Sequence, residues 1–134
     1  MRQERINTST GRPILIVESF ESRKTITLNV NIFSIGRNPK CSLVINHKLV
    51  SRHHATIAWL RDKDHHNKYA YWIIDGKGQR QRSKNGILVN GVKTSLHHLH
   101  SGDIISLGNH TKITYSHIAD TTENLQIFDT VYYL

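Results

Sequence analysis

Five polar residues at the ends of short apolar runs form a set of side chains suited to binding an anion. The set contains two arginines, a hydroxyl, a lysine and an amide, and it contains no carboxylate: Arg37, Ser51, Arg52, Lys84 and Asn85. A planar guanidinium can bond two oxygens of a phosphate at once, and hydroxyl and amide groups add further hydrogen bonds. These residue types therefore predict a phosphate-binding site, provided that the fold brings them together.

Each of these residues belongs to a short motif, and the motifs follow one another along the chain. In chain order the motifs are Ile35-Gly36-Arg37, Ser51-Arg52-His53-His54, Ser83-Lys84-Asn85-Gly86, Asn90-Gly91 and the run Gly102-Asp103-Ile104-Ile105-Ser106-Leu107-Gly108. Glycine, asparagine and serine are typical of turns. We therefore expect a rigid sheet to carry the motifs at strand ends and to aim several side chains at one point.

Short runs of β-branched, aliphatic and aromatic residues separate the motifs. They predict about ten evenly spaced strands, which include residues 14–17, 25–30, 32–35, 43–45, 54–61, 69–75, 87–89, 103–107 and 112–118. In the second of these, Ile26, Leu28 and Val30 would share one face. Asn90-Gly91 is a strong hairpin signal. No stretch shows sustained helical periodicity, so the pattern predicts an all-β sandwich or barrel.

The ordered series of motifs resembles the forkhead-associated (FHA) domain family over most of the chain, from about residue 14 to residue 115. The resemblance implies a β-sandwich of about eleven strands that binds phosphothreonine peptides on loops at one end. It assigns phosphate contacts to Arg37, Ser51 and Lys84. It also implies a phosphate or peptide-backbone contact for Arg52 and a peptide-backbone contact for Asn85. The remaining motif residues would hold the loops in shape: Gly36, His54, Ser83, Gly86, Asn90 and Gly91.

One segment departs from the family pattern. The family usually has an aspartate only a few residues before its Ser-x-Asn-Gly motif, whereas Asp75 precedes Ser83 by eight positions here. The extra residues, 76–82, lengthen a loop of the binding face and add three basic side chains: Lys77, Arg80 and Arg82. The path of a bound peptide along this loop is therefore left open by the sequence.

The charge of the chain is positive and unevenly distributed. The 134 residues have a net charge of +8, and residues 118–134 carry three acidic residues and no basic one. A basic surface attracts polyanions in general, so a nucleic-acid-binding β domain is the alternative to a phosphothreonine-peptide binder. The aromatic residues that could stack on bases fall in strand patterns with no basic run among them: Trp59, Tyr69, Tyr71 and Trp72. We therefore expect a phosphoprotein partner and no nucleic acid.

The sequence gives little support to catalysis or to a metal site. Ser51 and His54 have no evident acid to orient them as a triad. The ten histidines include His98 and His100, which would share a face on one strand, but no thiolate accompanies them and few carboxylates lie near them. We therefore expect no enzyme activity, no metal and no cofactor, and predict an adaptor module in Ser/Thr-kinase signalling.

The chain is expected to form one domain with tails. The expected parts are a flexible arm over residues 1–13, the domain over 14–117 and an acidic tail over 118–134, whose apolar residues fit a docked helix, an added strand or a partner-binding segment. Cys41 is the single cysteine, which excludes an internal disulfide and fits a reducing compartment. No apolar window could span a membrane and the N-terminus lacks the apolar part of a secretory signal, so we expect a cytoplasmic protein without membrane contact.

Overall fold

A computed structural model describes residues 11–64, 66–108 and 110–119 of the chain. These residues form eleven strands and no helix. In chain order the strands are β1 (Arg12–Glu18), β2 (Arg23–Thr27), β3 (Ile32–Gly36), β4 (Leu43–Val44), β5 (Ala55–Asp62), β6 (Lys68–Asp75), β7 (Ile87–Val89), β8 (Val92–Thr94), β9 (Leu96–His98), β10 (Ile104–Leu107) and β11 (Thr111–Ile118). The described part of the chain therefore has no segment of the kind that crosses a membrane as a long apolar helix.

The strands form two sheets that enclose one core, which confirms the predicted β-sandwich. One sheet has the order β2-β1-β11-β10-β7-β8, and the other has the order β4-β3-β5-β6-β9. Neighbouring strands are antiparallel except for the parallel pair of β3 and β4. The largest buried side chains come from both sheets and include Leu15, Ile35, Ile57, Tyr71 and Ile113. Burying each such side chain contributes about 1.5–3 kcal/mol, so this interior gives the loops above it a rigid base.

Alternation along the strands explains which side chains enter the core. In β6, Tyr71, Ile73 and Asp75 are buried, whereas Trp72 and Ile74 between them are partly exposed. This is the period of two that a strand imposes on its side chains. The last inward-facing residue of β6 is thus Asp75, a carboxylate rather than an apolar group. A buried carboxylate requires polar partners.

The strand ends differ from the sequence prediction in a few places. Strand β1 begins at Arg12, so residues 12 and 13, which we assigned to the arm, are paired with β11. Strand β2 ends at Thr27, and Val30, which we expected to share a face with Ile26 and Leu28, is exposed, whereas Leu28 is buried. Strand β11 extends to Ile118, one residue beyond the expected domain boundary. The expected arm up to residue 10 and the acidic tail from residue 120 lie outside the described residues.

The register of three strands brings three loops to one end of the sandwich. Ile35 near the end of β3 pairs with Ala55 at the start of β5, and Ala55 pairs with Asp75 at the end of β6. The chain leaves β3, enters β5 and leaves β6 at this level. We call residues 37–42, 45–54 and 76–86 the three site loops. All five candidate phosphate-binding residues lie on these loops: Arg37, Ser51, Arg52, Lys84 and Asn85.

Candidate functional site

The end of β3 is bound closely to the second site loop. The Arg37 and Asn38 main-chain N–H groups donate to the carbonyl oxygens of Ser51 and Arg52, over 3.0 and 3.1 Å. Gly36 is required by this closeness, because a Cβ atom there would lie 2.3 Å from the Arg52 carbonyl oxygen. The motif glycine therefore lets the first and second site loops run side by side.

The Arg37 side chain is fixed at one nitrogen and is otherwise exposed. Its Nε–H donates to the main-chain carbonyl of Val50 over 3.0 Å. Among the described residues the two Nη groups have no protein partner, and no side-chain carboxylate pairs with them. The side chain thus combines a held orientation with a free fork of donors, which suits bidentate binding of an oxyanion.

Lys84 and Asn85 of the third site loop are both hydrogen-bonded to the second site loop. The Lys84 main-chain N–H donates to Ser51 Oγ over 2.9 Å, and Asn85 Nδ2 donates to the Leu49 carbonyl over 2.9 Å. Ser51 Oγ is an acceptor in the first bond, so its own proton stays available for a ligand. The carbonyl oxygen of the Asn85 side chain and its second N–H likewise keep their capacity for a peptide backbone.

His54 is fully buried beneath these loops and connects them. Its Nδ1 atom accepts a hydrogen bond from the Ser51 main-chain N–H over 2.9 Å. Its Nε2 atom lies 2.7 Å from the Gly86 carbonyl oxygen, to which it donates because Nδ1 is already an acceptor. The ring therefore spans from the turn of Ser51 to the end of the Ser83-Lys84-Asn85-Gly86 motif and does not face the solvent.

Asp75 and Ser83 are in contact despite the eight positions between them. Asp75 Oδ1 accepts hydrogen bonds from the main-chain N–H and from the hydroxyl of Ser83. Ser83 Oγ in turn accepts from the Gly86 N–H over 2.9 Å, where Gly86 has a φ of 80°. The buried carboxylate at the end of β6 therefore has polar partners, and it closes the turn that presents Lys84 and Asn85.

The inserted residues 76–82 form a compact turn outside this contact. The Lys77 N–H donates to the Gln81 carbonyl, and the Gln81 N–H donates to the Gly78 carbonyl. The three basic side chains that it adds are exposed: Lys77, Arg80 and Arg82. The three site loops together contain no acidic residue. Their basic residues are Arg37, Lys40, Lys48, Arg52, Lys77, Arg80, Arg82 and Lys84. This end of the molecule therefore has a strongly positive potential.

Asn90 and Gly91 form the turn between β7 and β8, as the sequence predicted, with φ angles of 52° and 83°. The Asn90 side chain donates to Asp103 Oδ1 and accepts from the Ile104 N–H, each over 2.9 Å. It therefore ties the hairpin to the start of β10. Its contacts are with this part of the sheet rather than with the three site loops.

Asp103 organises the turn before β10 and brings two histidines to it. Its Oδ2 accepts from the His100 N–H and from His97 Nε2, each over 2.8 Å. Burial raises the pKa of Asp103, but its hydrogen bonds with His100, Asn90 and His97 outweigh burial and hold the pKa below its usual value. The two histidines and Asp103 offer donor atoms within 4.8 Å of one another. Both carboxylate oxygens already have hydrogen-bond partners, which is how a structural brace is arranged.

The aromatic residues that favoured the nucleic-acid alternative are not gathered beside the basic loops. Tyr71 is in the core, and its hydroxyl donates to the Val30 carbonyl. Tyr69 lies near the start of β6 and stacks on Trp59, whereas the site loops lie at the opposite end of that strand, at the level of Asp75. Trp72 stacks on the ring of His98. Among the described residues, no strip of alternating basic and aromatic side chains results.

A cavity of about 280 Å³ opens beside Asn85. It is lined by Leu49, Asn85, Gly86, Leu88, Ser106 and Gly108. Leu49 belongs to the second site loop, and Asn85 and Gly86 belong to the third. Leu88 and Ser106 are paired on the neighbouring strands β7 and β10, and Gly108 follows β10. The lining therefore combines segments that are separated in the chain and that the fold brings together.

Comparisons with known proteins agree with this geometry. The FHA domain family matches residues 33–108, and the uncharacterized protein sll1895 of Synechocystis sp. is 36% identical over 104 residues, which are 78% of this chain. The chain spans only 15% of that relative's length. The structure of the Slr1951 protein from Synechocystis sp. is 33% identical, covers 79% of this chain and 95% of its own, and has a TM-score of 0.66. A structure from an analysis of phosphothreonine-dependent FHA domain interactions is 27% identical, with coverages of 78% and 95% and a TM-score of 0.62. The chain belongs to the FHA domain family.

Proposed function

We propose that this domain binds phosphothreonine peptides on the three site loops and acts as a non-catalytic adaptor in cytoplasmic Ser/Thr-kinase signalling. The observation that carries the proposal is that the fold brings Arg37, Ser51 and Lys84 together, although 47 positions separate Arg37 from Lys84 in the sequence. The main-chain N–H of Arg37 donates to the Ser51 carbonyl and that of Lys84 donates to the Ser51 hydroxyl oxygen, which holds all three at one end of the sandwich. No carboxylate is present on these loops to neutralise them.

The phosphate would lie between the Arg37 fork, the Ser51 hydroxyl and the Lys84 ammonium group. A phosphothreonine carries between one and a half and two negative charges at neutral pH and three acceptor oxygens. Hydrogen bonds to charged groups each contribute about 1.5–3 kcal/mol. Arg52 follows Ser51 directly and adds a further positive charge at the edge of this site.

The peptide backbone next to the phosphothreonine would pair with the Asn85 side chain. The bond from Asn85 Nδ2 to the Leu49 carbonyl holds this amide in place before a ligand arrives. His54 and Asp75 fix the two ends of the same loop. A loop that is already ordered loses little conformational freedom on binding, and more of the contact energy then appears as affinity.

The relatives of the chain support phosphothreonine, rather than another anion, as the ligand of this site. A related FHA domain takes part in phosphothreonine-dependent interactions. In this chain the kinase-signalling role follows from that ligand, because phosphothreonine is made by Ser/Thr kinases. The FHA fold is a recognition module, in keeping with a role in binding rather than catalysis.

Calorimetric titration of a phosphothreonine peptide against wild type and Arg37→Ala tests the proposal. We expect the replacement to weaken binding by roughly 2–4 kcal/mol, about thirty-fold to several hundred-fold. Arg61→Ala is a matched control, because Arg61 is an exposed arginine near the far end of β5. It should leave the affinity unchanged, and both variants should keep the wild-type melting temperature within a few degrees.

Two further titrations separate this function from general anion binding. The unphosphorylated peptide should not bind, and duplex or single-stranded DNA should not bind at about 0.15 M salt. Equal affinities of wild type and Arg37→Ala for the phosphopeptide would refute the proposal, as would equal binding of the phosphorylated and unphosphorylated peptides. Tight DNA binding at that salt would instead favour the nucleic-acid alternative.

A further inference from the structure

A second cationic cavity adjoins the phosphate site, and we infer that it binds a second anionic group of the same peptide, either a phosphoryl group or a carboxylate. The cavity has a volume of about 410 Å³. It is lined by three basic residues and four others: Lys40, Arg52 and Lys77, with Ser34, Asn38, Cys41 and His53. The inference rests on the proposed function, because the first anion is the phosphothreonine held at Arg37.

The two sites are neighbours because the same two loops build both. Arg37 is followed by Asn38, and Ser51 is followed by Arg52. The first residue of each pair belongs to the phosphate site, and the second lines the cavity. The main-chain N–H groups of Arg37 and Asn38 donate to the carbonyl oxygens of Ser51 and Arg52, so the two pairs lie side by side. Since an extended peptide advances about 3.3 Å per residue, a second anion near the phosphothreonine in sequence could reach the cavity.

Lys77 reaches this cavity through the insertion that distinguishes the chain from its family. The Gly76 N–H donates to the His54 carbonyl over 2.7 Å. The Thr56 hydroxyl donates to the Gly76 carbonyl over 2.7 Å, and the His53 ring bonds the same hydroxyl over 2.8 Å. These contacts hold the start of the inserted turn against His53. Burial, and then the charge of Lys77, lower the pKa of His53, which agrees with an ammonium group close to that ring.

The cavity has an excess of positive charge without a protein counterion. Among the described residues, none of Lys40, Arg52 and Lys77 forms a salt bridge with a carboxylate. The carboxylate closest in sequence, that of Asp75, is buried and is bonded to Ser83. Like charges around one cavity repel one another, and a bound anion removes that repulsion. The hydroxyl of Ser34 and the amide of Asn38 in the lining add neutral hydrogen-bonding groups.

Calorimetry with a matched set of phosphothreonine peptides tests the inference. Each peptide has an otherwise neutral sequence, and each position near the phosphothreonine in turn holds alanine, aspartate or phosphoserine. The proteins are wild type, Lys40→Gln, Lys77→Gln and the control Lys68→Gln. Lys68 is also an exposed lysine, but it begins β6 at the end opposite to the site loops. Each variant removes one charge from an exposed side chain, so all should fold as wild type does.

We expect at least one position where an anion strengthens wild-type binding about five- to tenfold over alanine. Several exposed pairs, each worth a few-fold at most, together give this gain. Lys40→Gln and Lys77→Gln should each reduce the gain to about twofold or less, and Lys68→Gln should retain it. A gain from both anions identifies a general anion site, and a gain from phosphoserine alone identifies the second group as phosphoryl.

The inference is overturned if no position gives a gain, or if the gain persists in Lys40→Gln and Lys77→Gln to the same extent as in Lys68→Gln. The alanine peptide separates this failure from failure of the proposed function. If that peptide binds wild type and not Arg37→Ala, the phosphothreonine site stands whatever happens at the cavity. If no phosphothreonine peptide binds at all, the proposed function and the inference fall together.

Discussion

Replacement of His54 by alanine should loosen the binding loops without changing the charge of their surface. The ring is fully buried and makes one hydrogen bond to each of two site loops, at Ser51 and at Gly86. Alanine can form neither bond. The Ser51 N–H and the Gly86 carbonyl would be left without this partner in a space from which the ring has been removed.

The cost can be worked out from these contacts. Each lost hydrogen bond removes about 1 kcal/mol, and a buried polar group left unpaired costs about 1–3 kcal/mol. The space left by the ring adds to this, although water can enter from the nearby surface and satisfy one of the two groups. We expect a total destabilisation of about 3–5 kcal/mol. This is less than the stability of most domains, so His54→Ala should fold but melt roughly 10–20 °C lower than wild type.

Phosphopeptide affinity should also decrease, by about tenfold. His54 touches no ligand position, but the loops that it connects carry Ser51, Lys84 and Asn85. Loops that are no longer fixed must be ordered on binding, at about 0.5–1.5 kcal/mol for each side chain immobilised. Differential scanning calorimetry measures the first effect, and calorimetric titration well below the melting temperature measures the second.

His53→Ala is the matched control for this experiment. His53 is the adjacent histidine, it is partly exposed, and the ring hydrogen bond that it makes is to the Thr56 hydroxyl. Its loss should cost about 1 kcal/mol. If His54→Ala melted as high as His53→Ala and bound the peptide as tightly as wild type, the assignment of His54 as the connection between the loops would be wrong.

Two further predictions concern ligand choice and pH. The family resemblance implies a small pocket for the threonine methyl group near Asn85. Because burial of one methyl group contributes about 0.8 kcal/mol, phosphothreonine should bind about fourfold more tightly than phosphoserine in the same peptide. Equal dissociation constants for the two peptides would contradict this prediction. Burial, and then the nearby His100, lower the pKa of His117, so between that lowered pKa and about 6.5 the unfolded chain binds the proton more readily. Stability should therefore be complete above about pH 6.5 and fall as the pH decreases through this window, and denaturant titrations should show a smaller decrease in His117→Gln; stability that rises on acidification would refute the assignment.

The general fold could be predicted from the sequence because β-structure leaves a regular pattern in long strands. Residues 69–75 alternate as a strand with one buried face, and Asn90-Gly91 gives the positive φ angles that a tight hairpin needs. The two strands that were not named, β8 and β9, have three residues each and lie at the edges of the two sheets. Their side chains are largely exposed, so burial leaves no alternation to detect, and their pairing depends on the neighbouring strand.

The residues of the candidate site could be named from motifs, but the bonds that hold them could not. Arg37 and Asn85 are fixed by the carbonyl groups of Val50 and Leu49. Every residue carries a carbonyl, so no residue type marks these two as partners. The Arg52 carbonyl that lies close to Gly36 is likewise not marked by any residue type. Only the glycine in this contact can be recognised from the sequence.

The insertion lengthens its loop without changing the turn that follows it. The seven residues after Asp75 close on themselves through the hydrogen bond from the Lys77 N–H to the Gln81 carbonyl, and the contact of Asp75 with Ser83 is kept. The geometry of the turn that presents Lys84 and Asn85 therefore does not depend on the number of residues inserted before it. Lys77, by contrast, depends on the insertion for its position beside His53. The same loop can thus change the charge next to the phosphate site while the support of the site itself is kept, so the choice of neighbouring peptide residues can vary independently of phosphate binding.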